Sequence, residues 1–141
     1  MKTKYDKLVQ VRKTQADRFE VQIAQIRLSI QAQELEVETK RAELSAVVTP
    51  SKGNVAILQE YSAAKKVMAM HINHLLNQLE ETKKELHSTQ LKYKLAMMEY
   101  EKSKHLRDTE IQKTILEMKK REQKDIDEIA SQLFNNKKEL F

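Results

Sequence analysis

Thr49-Pro50-Ser51-Lys52-Gly53-Asn54 holds the only proline and the only glycine of a 141-residue chain. Proline lacks a backbone N–H and turns the residue before it away from the helical region, while glycine tolerates positive φ. A helix arriving here is expected to stop, and a turn to follow. On either side the sequence reads as uninterrupted helix, so the break separates an arm of roughly 47 residues from one of roughly 85. The predicted fold class is all-α: a two-helix antiparallel coiled-coil hairpin with a longer C-terminal helix. Helices are expected over 3–48 and 54–138, with the turn over 49–54 and one domain over 1–141.

The arms earn this reading by their periodicity. In the first, steps of three and four pass through Tyr5, Leu8, Arg12, Gln15 and Phe19, then Ile23, Ile26, Ile30, Gln33, Val37, Lys40, Leu44 and Val47. The repeated step of four at Phe19–Ile23 reads as a stutter that relaxes the supercoil. Arg12, Gln15, Gln33 and Lys40 are polar guests, which weaken packing and help fix register. The second arm alternates strictly through Leu58, Tyr61, Lys65, Met68, Ile72, Leu75, Leu79, Thr82, Leu86, Thr89, Tyr93, Ala96 and Tyr100. Ser51 or Asn54 is placed to cap its start. Two such stripes bury one another as an antiparallel hairpin.

Folding about residue 51 or 52 sets Ile30 near Ile72, Tyr5 near Tyr100, and Leu75 around the depth of Ile26 and Ile30. The first arm is then used up. About 38 residues of the second helix remain, roughly 57 Å at 1.5 Å per residue. They still carry a stripe of Leu106, Ile111, Ile115, Met118, Ile126, Ile129, Leu133 and Phe134. A single helix cannot bury its own stripe, so this overhang asks for a partner.

Composition excludes several classes of function. The chain is 33% charged and 40% hydrophobic, as in long helices and coiled coils, and has no cysteine. Disulfides and thiolate metal sites are therefore out, and a reducing compartment fits. No apolar run resembles a signal peptide or approaches a membrane span, so the expectation is a cytoplasmic chain with no direct membrane insertion. The net charge of +5 is dispersed among interleaved acids and bases, which reads as solvated faces rather than a nucleic-acid surface.

Individual residues add little chemistry. His71 and His74 lie three apart on one helical face, but two imidazoles without a third ligand make a weak metal site, so they read as solvated or seam-edge residues. A hairpin of two helices has no obvious pocket for catalysis, and a single glycine cannot form a phosphate-cradling loop. No enzyme activity, cofactor or metal is expected. Met68, Met70, Met97 and Met98 read as gap-filling along the seam rather than an adaptable binding face. The run Lys119-Lys120-Arg121-Glu122-Gln123-Lys124 reads equally as a docking patch or as a solvated surface with Glu117–Arg121 at i,i+4.

The segment Glu117-Met-Lys-Lys-Arg-Glu-Gln-Lys-Asp-Ile-Asp-Glu-Ile-Ala130 resembles the C-terminal signature of the FliJ/YscO family, small coiled-coil proteins of type III export systems. Chain length, the break one third along and the longer second helix are similar to the flagellar members. The resemblance implies a hairpin like the γ-subunit stalk of rotary ATPases. Its helical ends would insert into a hexameric export ATPase and promote ring assembly, while the chain bridges to the export gate at the membrane and handles export chaperones. It would then sit peripherally at the cytoplasmic face of the inner membrane and be monomeric when free.

Carried over by residue, Gln123, Lys124, Asp127 and Glu128 fall on the signature, and Ile126, Ile129 and Ala130 supply its apolar spacing. Ile115, Met118, Lys119 and Arg121 complete the expected ATPase contact. The family's gate-binding face is partly aromatic and lies near the hairpin end, where this chain has Tyr61, with His71 and Leu75 at corresponding depths. The alternative is a self-assembling structural coiled coil in which the exposed stripe pairs with itself. A nucleic-acid or anionic-surface binder is a third reading, and predicts steep salt dependence.

Overall fold

A computed structural model describes residues 2–139. It contains α1 over Asp6–Ala46 and α2 over Val55–Glu139. The chain is an all-α antiparallel helical hairpin with the longer helix second.

Both helix starts are capped by side chains, because the first backbone N–H groups of a helix have no partner within it. Before α1, the Thr3 N–H donates to Asp6 Oδ2 (3.1 Å), the Thr3 hydroxyl to Asp6 Oδ1 (2.9 Å), and the Tyr5 N–H to Thr3 Oγ1 (3.2 Å). This reciprocal arrangement is a capping box built with aspartate. The Thr3 backbone and side-chain hydrogen bonds hold the Asp6 carboxyl below its ordinary value of 3.8. Before α2, Asn54 rather than Ser51 is the cap: the Ile57 N–H donates to Asn54 Oδ1 at 2.9 Å.

The end of α1 falls three residues before Thr49, the residue that Pro50 restricts. Gly53 departs from the reason given for it. It does not adopt positive φ, and a Cβ built there would meet the Ile57 side chain at 3.7 Å, an ordinary contact. Its service to the turn is absence of helix propensity, not left-handed geometry. Gly53→Ala is expected to raise stability by roughly 0.4–1 kcal/mol by restricting the unfolded chain. A lower melting temperature for that variant would mean the turn needs glycine after all.

By density of packing the chain divides into two compact units, Ala16–Leu95 and Met1–Gln15 with Ala96–Phe141. In the first, Ala16, Ile23 and Val37 of α1 and Ile72, Leu75, Leu79 and Thr89 of α2 are buried. Lys65 Nζ donates to Thr49 Oγ1 at 2.7 Å, and Lys83 Nζ lies 4.0 Å from Glu34 Oε1. These pairs shift the register by several residues from a fold about residue 51 or 52. Ile30 is level with the neighbourhood of Leu86, not Ile72, and Leu75 with that of Lys40. The cause is the length of the break. Residues 47–54 are all non-helical, and residues 51–64 are exposed, so the first turns of α2 run past the end of α1 before the seam begins.

The seam of α1 also has no stutter. Val9 and Ala16 are buried and Gln15 is exposed, so Tyr5, Val9, Arg12, Ala16, Phe19 and Ile23 alternate steps of four and three without a repeat. An alanine methyl enters a seam freely, whereas a buried glutamine amide needs hydrogen-bond partners. Gln33 illustrates the cost: its Oε1 is buried without a partner. The buried hydroxyls fare better, with Thr89 donating to the Glu85 carbonyl (2.9 Å) and Ser103 to that of Tyr100 (2.7 Å).

In the second unit, Val9 of α1 and Ala96 and Ser103 of α2 are buried, and Arg107 is near enough to Asp6 to favour its carboxylate. The spacing continues past Tyr100 through half-buried Arg107, Glu110 and Thr114. Pairing therefore extends about fourteen residues further than a seam ending at Tyr100. The polar character of these positions hid them, since threonine, arginine and glutamate do not register as a stripe.

Candidate functional site

Beyond Thr114 every described side chain of α2 is exposed, through Lys138. The segment stays helical without a neighbour because it has no glycine or proline and many strong helix formers. Gln123 Nε2 donates to Asp127 Oδ1 at 3.1 Å, a same-face pair of the kind that supports an exposed helix.

Helical spacing sorts the ten residues expected to contact the ATPase. Ile115, Met118, Ile126 and Ile129 share one face, with Glu122 interrupting it. Ile126 is 59% and Ile129 56% exposed, unusual values for isoleucine away from an interface. Lys119 lies on the same face, and Gln123 and Asp127 border it. Arg121, Lys124 and Glu128 are spaced three and four apart on the opposite side, so the charged residues do not all flank one contact. They ring the helix. Leu116, Leu133 and Phe134 are also exposed, and Leu133 extends the apolar face by one more turn.

The hairpin end is a second exposed region. Val48, Val55, Ile57, Leu58 and Tyr61 are all exposed there. Leu58 and Tyr61 have the spacing of a seam but lie before the level at which α1 covers α2. His71 is exposed and lines a shallow, open hollow with Lys40, Glu43, Val67 and Met68. Leu75 is different: it is 7% exposed and belongs to the seam, so only Tyr61 and His71 of the three expected gate residues present surface. Gln78 Nε2 lies 3.2 Å from His74 Nε2 and donates to it when that nitrogen is unprotonated. Among the described residues no three His, Cys, Asp or Glu side chains gather as a metal site.

A model of the flagellar FliJ protein family matches residues 1–139. The chain belongs to the FliJ family. The match spans both helices and the break, and it includes the whole exposed C-terminal segment up to residue 139. The FliJ family is one of non-enzymatic export proteins, and membership makes this chain a component of the flagellar export apparatus. No helix of the described residues is long and apolar enough to cross a membrane. Searches of curated proteins and of solved structures each gave no match.

Proposed function

We propose that this FliJ-family chain is a stalk whose C-terminal segment enters the central opening of the hexameric export ATPase and promotes its assembly and activity. The observation that carries the reading is the exposed helix beyond Thr114, apolar on one face and charged on the other. A helix lying on a flat surface needs one binding face. A helix surrounded by a ring is met from all sides, and the Arg121–Lys124–Glu128 stripe opposite Ile126 and Ile129 suits that geometry. Desolvated apolar anchors would hold the complex, while surrounding charge guides entry and rotational setting.

Around its turn the hairpin offers Tyr61, His71 and the exposed apolar residues there to the membrane-embedded export gate. Export chaperones are the remaining partners of this reading, and no residues are assigned to them. Truncation after Thr114 tests the ATPase contact, because it removes the exposed segment and spares every buried seam position. The truncated chain is expected to melt like the full one and to lose co-purification with the ATPase. Undiminished co-purification would place the contact elsewhere.

A further inference from the structure

The apolar stripe of the C-terminal segment is symmetric about a charge. On a helix turning about 100° per residue, Ile111, Ile115, Met118, Ile126, Ile129 and Leu133 all fall within about 40° of the line through Glu122. Ile111 and Leu133 stand equally far from Glu122 along the chain, as do Ile115 and Ile129, and Met118 and Ile126. Glu122 is therefore the centre of the stripe both along the helix and around it. Arg107, Glu110 and Thr114, the half-buried end of the seam, lie about a quarter turn away, so α1 leaves this line open. Glu122 is itself exposed, and among the described residues it is in no ion pair.

We infer that Glu122 decides what can cover this stripe: it excludes a second copy of the chain and requires a partner that brings a cation to it. The symmetry carries the first half. Two copies match all six apolar residues in only two ways, parallel and in register or antiparallel about Glu122. Either way one Glu122 carboxylate is set against the other in the middle of the apolar contact, where two like charges lose their water and gain no partner. A shifted register parts the carboxylates, but it buries each of them among apolar side chains and leaves the stripe uncovered at its ends. Antiparallel pairing does set Lys119 beside the other copy's Asp125, twice over. Those pairs border the stripe in solvent and are too weak to offset two buried carboxylates. The second half follows from the same charge. The stripe from Ile111 to Leu133 is about 33 Å long at 1.5 Å per residue, with Glu122 at its midpoint. A protein that covers it must supply a lysine or arginine at that level. This half rests on the ATPase reading above, in which the ring's opening presents that cation.

Sedimentation velocity of the full chain between about 5 and about 500 µM tests the exclusion of a second copy. Glu122→Leu is expected to associate at least about a hundredfold more tightly than the unaltered chain. Adding Ile126→Asp should cancel the gain, because the new contact runs through the stripe. Glu122→Lys should gain nothing, since it sets like charges together again. No gain from Glu122→Leu, a gain that survives Ile126→Asp, or an equal gain from Glu122→Lys would overturn the exclusion. Titration of the purified export ATPase tests the cation. Glu122→Lys is expected to stay a single chain, to melt as before, and to bind the ATPase at least about tenfold more weakly. Undiminished binding of Glu122→Lys beside lost binding of Ile126→Asp would overturn the requirement for a cation. Undiminished binding of Ile126→Asp as well would overturn the ATPase reading and the cation with it, while the sedimentation result would stand.

Discussion

Replacing Ile126 and Ile129 together by aspartate is expected to abolish stimulation of the export ATPase and to leave the hairpin's thermal melting unchanged. Both side chains are more than half exposed, so neither contributes to the seam. In a ring they would be desolvated. Two aspartates there would carry unpaired charge into an apolar contact, at a cost of several kcal/mol, enough for a loss of at least about a hundredfold in affinity. The measurement is ATP hydrolysis by the purified ATPase as the variant is titrated in, with motility as the cellular readout. Full stimulation by the double variant would mean that the apolar face is not the contact, and the stalk reading would fail. Charge reversal on the opposite face, at Lys124 for example, should act more gently, chiefly on the salt dependence of binding.

Leu75→Ala is expected to destabilise the free hairpin by about 2–4 kcal/mol, the usual range for emptying a buried leucine site. Leu75 is 7% exposed and lies between buried Ile72 and Leu79, so the loss is not relieved by solvent. Leu116→Ala, just past the seam and well exposed, should change stability by no more than about 0.5 kcal/mol. Melting followed by circular dichroism at low concentration compares the two directly. Equal losses would mean that the segment beyond Thr114 is packed in the free protein, as the self-assembling alternative requires.

The behaviour of Leu75 also separates what can be read from spacing from what cannot. Its place on a three-four stripe makes it a seam residue whatever it faces, and burial agrees. The family resemblance, not the spacing, sets it at the depth of a gate contact, and at that depth it is buried in the seam. Leu58 errs in the opposite direction: it has seam spacing and is exposed, because α1 ends before reaching its level. Periodicity reports which face of a helix a residue occupies. It does not report whether a second helix is present there.

The sequence by itself determined the two helices, the position of the break, the all-α class and the unpartnered apolar stripe near the C-terminus. Each rests on local properties: the backbone restrictions at Pro50, helix propensity, and side-chain period. The Glu117–Ala130 motif pointed to the family, and the match over residues 1–139 established it. Only the tertiary structure decided the register, the identity of the cap, the absence of a stutter at Phe19, and the extension of pairing to Thr114. These depend on how eight non-helical residues carry the chain from one helix to the other, and on small or polar side chains such as Ala16, Ser103 and Thr114 that a hydrophobic pattern does not mark. A heptad repeat offers several registers a few residues apart with similar burial, and the length of the break decides among them, bringing Lys65 beside Thr49 and Lys83 beside Glu34.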